Sequence, residues 1–161
     1  MKTGELLTMQ VELENMVGTK MPLPGKFAYA VARNLKLLAP VKEAFMEQID
    51  PSKNPIMQAY DADRVASLTE IAEKNPDGSP VVVENQFVIS DPAEQTRVLA
   101  EVLARHPDLP AEQTRLNNLI RELQEAEEPN ISFYMIDDTL IPAQITAGTM
   151  FAILPMIRET S

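Results

Sequence analysis

Apolar side chains recur every third or fourth residue along much of this chain, and a stripe of that period is buried by packing helices. Leu6, Met9, Leu13, Met16 and Val17 form the first such set, and Gly18 suits its end. Met21-Pro22-Leu23-Pro24-Gly25 then reads as a rigid connection. A longer helix is expected from about Lys26, with Phe27, Val31, Leu35 and Leu38 on one face and Val41, Phe45 and Ile49 continuing it. Pro40 lies inside this pattern. Its missing N–H and its clash with the preceding turn predict a kink near Ala39 or a break into two helices.

Asn54 followed by Pro55 marks another start, an N-cap with proline at the first helical position. That helix is expected to present Met57, Tyr60, Arg64, Leu68 and Ile71 and to run to about Lys74, where Asn75-Pro76-Asp77-Gly78 stops it. Val81-Val82-Val83 and Phe87-Val88-Ile89 read as a strand pair or one bent strand, with Glu84-Asn85-Gln86 as the loop. Asp91-Pro92-Ala93-Glu94 opens the next helix, with Asp91 as cap and Glu94 able to reach back to it; the helix ends near Arg105-His106. Another begins between Asp108 and Glu112 and carries Leu116, Leu119, Ile120 and Leu123. Ile131 to Ile136 reads as a strand able to pair with the earlier strand region. Asp137-Asp138 reads as a turn, and Met150, Ile153, Leu154 and Ile157 as a short final helix.

These elements predict an α+β fold: one predominantly helical domain over residues 1–161, with a small antiparallel sheet of two or three strands. Its helical part covers about residues 5–74 and its mixed part about 78–158. A chain of 161 residues is long enough for one core and short for two. No apolar run reaches the roughly 18 residues of a membrane helix, and the first residues lack a secretory pattern, so a cytoplasmic location is expected.

Pro-Ala-Glu-Gln-Thr-Arg occurs twice, at Pro92 to Arg97 and at Pro110 to Arg115, while the flanking residues do not repeat. Two helix starts converging on one N-terminal chemistry explain this better than a structural repeat.

Catalytic chemistry finds little support. The chain has no cysteine, which removes thiolate zinc sites, disulfides and cysteine nucleophiles. The lone histidine, His106, reads as a solvated group at a helix C-terminus, and no serine sits in a nucleophile elbow. The glycines are too scattered to build a phosphate-cradling loop. Asp61 and Asp63 would point to different sides of a helix, and Glu125, Glu127 and Glu128 read as a solvated charge run. No catalytic, cofactor-binding or metal-ligating residue is therefore expected.

The charge distribution is more informative. The formal net charge is −10, which argues against direct nucleic-acid binding. Yet Lys20, Lys26, Arg33, Lys36 and Lys42 lie in a stretch with no acidic residue. On a helix, Lys26, Arg33 and Lys36 fall within roughly 80° of one another, opposite the apolar stripe, and Tyr29 shares their side. Tyrosine and arginine together on a solvent-facing helix are favoured at protein interfaces. Lys26, Tyr29, Arg33 and Lys36 are thus the expected partner-binding residues, for another protein or a second copy of the chain.

The segment from Leu23 to Phe45, with Leu-Pro-Gly-Lys-Phe-Ala-Tyr leading to Arg33-Asn34, resembles a family of small proteins of tailed bacteriophages and prophages. The Asp77-Gly78 turn, Leu119 to Leu123 and the Leu154 to Ile157 finish are similar to features of that family. The stretch from Asp91 to Pro110 and the prolines at 40 and 110 depart from it. The resemblance implies a phage origin, in the host cytoplasm or on the virion, and a non-enzymatic role. A structural or assembly protein is the first expectation; an inhibitor of a host protein, acting as a nucleic-acid mimic or a defence antagonist, is the alternative.

Overall fold

The computed structural model describes residues 1–19, 22–128 and 131–159. Lys20 and Met21, part of the expected basic stretch and rigid connection, lie outside them, as does Pro129. Among the described residues the regular structure is six α-helices and two pairs of short strands, a predominantly helical α+β fold. The chain divides into two compact units, Met1–Ile49 with Asn118–Ser161, and Asp50–Asn117.

The first unit is built on α1 (Thr3–Gly18) and α2 (Gly25–Ile49). Leu6, Met9, Leu13 and Met16 of α1 meet Phe27, Ala30, Val31 and Leu38 of α2 in one buried cluster. The expected stripes are therefore largely the packed ones, with Leu35 and Val41 partly buried against the cluster; Val17 is exposed, and Phe45 and Ile49 are not part of the cluster. Each fully buried Leu or Phe contributes about 1.5–3 kcal/mol, enough to offset the ordering of its own residue. Lys42 of α2 holds Glu14 of α1 at 2.8 Å. That contact, followed by the bond from Gln10, keeps the Glu14 carboxyl below its usual range.

Of the two outcomes expected at Pro40, a kink or a break, the break does not occur: α2 runs unbroken through Pro40. Pro40 and Lys36, one turn earlier, are both exposed. The carbonyl that loses its helical donor therefore faces water, where solvation replaces the bond.

The N-terminus and the end of α5 (Leu109–Glu125) are tied together. Thr3 N–H donates to the Ala126 carbonyl at 2.8 Å, Glu128 N–H to the Met1 carbonyl at 2.9 Å, and Lys2 pairs with Glu125 at 2.5 Å. The acidic run at Glu125 to Glu128 is thus a clasp on the first residues and not simply a solvated tail. Gly4 permits this approach: a Cβ there would lie 3.2 Å from the Gln124 carbonyl oxygen.

The Ile131 to Ile136 segment becomes strand only at its end. β3 (Ile136–Asp137) pairs in parallel with β4 (Ile157–Arg158), not with the earlier strands. Asp137, expected in a turn, lies in this strand, with Arg158 Nη2 2.6 Å from its carboxylate. α6 (Ala147–Ile153) packs on α1, and a 3-10 turn at Leu154–Met156 leads into β4. Ile157, expected on the last helix, is therefore a strand residue.

The second unit contains α3 (Pro55–Ile71), a hairpin of β1 (Val82–Val83) and β2 (Gln86–Phe87), and α4 (Pro92–Arg105). Asn54 caps α3 as expected, accepting from the N–H groups of Ile56 and Met57. The helix ends three residues before Lys74, because Glu73 instead pairs with the hairpin: its N–H donates to Val88 and its carbonyl accepts from Val81. The hairpin loop is two residues, Glu84 (φ 50°) and Asn85 (φ 63°), so Gln86 belongs to β2. That left-handed pair matches the twist of antiparallel strands.

Asp91 caps α4 through the N–H groups of Ala93 and Glu94, but Glu94 pairs with Arg97 and does not reach back to the cap. The repeated hexapeptide makes one local structure twice. Thr96 and Thr114 each donate to the proline carbonyl four residues earlier at 2.9 Å, and Glu94–Arg97 and Glu112–Arg115 are equivalent ion pairs. Among the described residues only the second glutamate acquires a distant partner, Asn54. α3 packs on α4, with Leu68, Val98 and Val102 buried.

Candidate partner-binding face

The site begins with a polar residue on an apolar stripe. Asn34 lies in line with Phe27, Val31 and Leu38 on the inner side of α2 and is fully buried. A buried amide must find partners. Asn34 Oδ1 accepts from the Tyr134 N–H at 2.8 Å, and Nδ2 donates to the Tyr134 carbonyl at 3.0 Å and to Met156 Sδ at 3.3 Å. One side chain thereby binds both backbone groups of Tyr134, as a neighbouring strand would. The extended segment before β3 is pinned against α2 at that residue.

The consequence is on the outer surface. Tyr134 stands beside Tyr29 with ring centroids 5.3 Å apart and planes at 80°, an edge-to-face pair. Both rings stay largely open to solvent, Tyr29 at 54% and Tyr134 at 45%. Two hollows flank Tyr134. One, of about 290 Å³, is lined by Arg33, Lys36, Leu37 and Ser132. The other, of about 410 Å³, is lined by Lys26, Tyr29, Met135 and Leu140. Arg158 and Asp137 also border the second hollow, where they neutralise each other.

All four sequence-predicted residues therefore border this face, Lys26 and Tyr29 at one hollow and Arg33 and Lys36 at the other, with Tyr134 common to both. All are exposed, and none of the three cations makes an ion pair among the described residues. Sequence reasoning missed Tyr134 and Asn34. The usable signal was Asn34 itself, an amide at a position whose helical neighbours are apolar.

The other candidates resolve differently. His106 is not solvated: its side chain is 17% exposed, Nε2 lies 3.0 Å from Asp63, and Tyr60 meets the ring edge-on. Asp63 also receives Arg105 at 3.2 Å, while Asp61 pairs with Arg64. The two aspartates thus face different partners, and His106 is a packed link between α3 and α4. Among the described residues no three His, Asp or Glu side chains gather as a metal would require, and no helix is long and apolar enough to cross a membrane. No protein-family model, curated protein or solved structure matches the chain.

Proposed function

We propose that this chain is a non-enzymatic protein that acts by holding a protein partner on the α2–Tyr134 face, in a structural or assembly role of the kind the phage resemblance implies. The observation that carries this reading is the exposed Tyr29–Tyr134 pair set among Lys26, Arg33 and Lys36, whose charges no ion pair among the described residues neutralises. Exposed aromatic rings and desolvatable cations around a hollow are the anchors from which interfaces draw most of their energy. Asn34 adds preorganisation, because Tyr134 is fixed before any partner arrives, which lowers the ordering cost of binding.

The alternative, an inhibitor of a host protein, draws on the charge division. All acidic residues lie outside the Thr19 to Lys42 stretch, leaving extensive surface able to imitate a polyanion. The test is affinity capture from bacterial lysate with and without phage proteins, comparing the native chain with a Lys26→Glu/Arg33→Glu/Lys36→Glu variant. Phage proteins or further copies of the chain, lost from the variant, support assembly. A single host protein supports inhibition. An identical catch from both chains removes the α2 face as the contact surface.

A further inference from the structure

Taking the α2–Tyr134 face as the contact surface, we infer that its occupant is a short, extended acidic segment of a protein, with apolar side chains between two clusters of carboxylates. Each hollow of the face combines cationic side chains with aromatic or apolar ones, and the shared Tyr134 joins them. Lys26 borders one hollow together with Tyr29 and Met135, Arg33 and Lys36 border the other together with Leu37, and Tyr134 is shared by both. The helical rise puts Lys26 and Lys36 about 15 Å apart along α2. An extended chain covers that distance in about five residues. A segment with acidic residues at that separation sets its ends against the cations and leaves two or three side chains for the hollows beside Tyr134.

Charge complementarity favours such a segment over other anions. The three cations carry charge that no ion pair among the described residues neutralises, whereas the Arg158 guanidinium at the second hollow is already matched by Asp137. A long polyanion such as single-stranded nucleic acid would continue beyond the face onto a chain that carries 24 acidic residues, none of them between Thr19 and Lys42. Repulsion between exposed charges acts over about 8–10 Å at ordinary salt, so every phosphate past the ends of α2 would weaken binding. The tyrosines also stand at 80° to each other, so they do not offer the parallel platform on which successive bases stack. A short acidic peptide meets neither obstacle.

The experiment uses the full chain and three probes in fluorescence anisotropy. The first is a blocked peptide with two acidic residues, Phe, Gly, Leu and two acidic residues in order. The second replaces its acidic residues by Gln and Asn. The third is an oligothymidine of about ten nucleotides. The acidic peptide is expected to bind at least tenfold more tightly than the neutral one, and to weaken as salt is raised from about 50 to about 500 mM. The Lys26→Glu/Arg33→Glu/Lys36→Glu variant should lose at least tenfold for the acidic peptide. Lys36→Glu alone, at an exposed position with no ion pair among the described residues, should lose a smaller factor, which keeps the test open if the triple variant misfolds.

Equal binding of acidic and neutral peptides, tighter binding of the oligothymidine, or no binding of any probe would each overturn the inference. Any of these results leaves the contact-face reading standing if the charge-reversed chain still loses its lysate partner. That reading fails separately when capture is unchanged by the reversal.

Discussion

Replacing Asn34 by Ala isolates the contact on which the binding face rests. The side chain makes two hydrogen bonds to the Tyr134 backbone, at 2.8 and 3.0 Å, from a fully buried position. Each neutral bond contributes about 1 kcal/mol net, and an orphaned backbone group costs about 1–3 kcal/mol. Tyr134 is half open, so water reaches part of what Asn34 abandons, and the expected loss is about 2–4 kcal/mol. Asn34→Asp, close in shape, retains an acceptor for the Tyr134 N–H. It also buries a carboxylate and turns an oxygen toward the Tyr134 carbonyl, so it should be at least as damaging.

Urea titrations followed by far-UV circular dichroism measure the loss. The chain has no Trp and three Tyr, two of them the Tyr29–Tyr134 pair, so the change in tyrosine emission, measured against a Tyr60→Phe background, reports that pair. Under conditions where Asn34→Ala remains folded, Tyr134 is released from α2 and partner retention falls. Stability within about 0.5 kcal/mol of the native chain for both variants would refute the reasoning, since that is the scatter of ordinary surface substitutions.

Three further outcomes follow from single contacts. Gln10 is 4% exposed; among the described residues its Oε1 has no hydrogen-bond partner, while its Nε2 donates to Glu14 at 3.0 Å. Gln10→Met relieves the first and removes the second, so it should change stability by no more than about 1 kcal/mol in the same titration. Glu84 holds φ 50° at the first loop position of the hairpin, where Asn is the better residue; Glu84→Asn should add about 0.5–1 kcal/mol, measured as a raised melting temperature. Hydrogen bonds hold Glu14, Asp50, Asp77 and Glu112 below their ordinary carboxylate ranges, from Lys42, Ser52, Ser79 and Arg115 respectively. Their stabilisation is complete above the unfolded values of 4.5 for Glu and 3.8 for Asp. It is lost as pH falls through the lower folded values, so thermal melts should decline across acid pH and be flat around neutrality.

The helices were legible because their signals are local. Asn54-Pro55 and Asp91-Pro92 each combine a cap with proline at the first position, and both helices begin there. The failures are non-local. Ile131 to Met135 carries strand-like residues, yet its fixed partner is a side chain on α2, which no periodicity announces. Pro40 leaves α2 continuous because the freed carbonyl lies on the wet side, a fact of burial and not of composition. His106 looked solvated because Asp63 is far from it in sequence. On the candidate face, the helical wheel was enough to gather Lys26, Tyr29, Arg33 and Lys36. Tyr134 required the fold, although an amide in line with Phe27, Val31 and Leu38 signalled that something polar had to meet it.

Site-specific photo-crosslinking tests the central claim most directly. A benzophenone amino acid placed at Tyr29 or Tyr134, and at exposed Val82 of the hairpin as control, is irradiated in lysate containing phage proteins. A discrete adduct from positions 29 and 134, absent from position 82 and abolished by reversing Lys26, Arg33 and Lys36, is the predicted result. An adduct from position 82 with none from α2 or Tyr134 would contradict the account and move the contact surface to the hairpin.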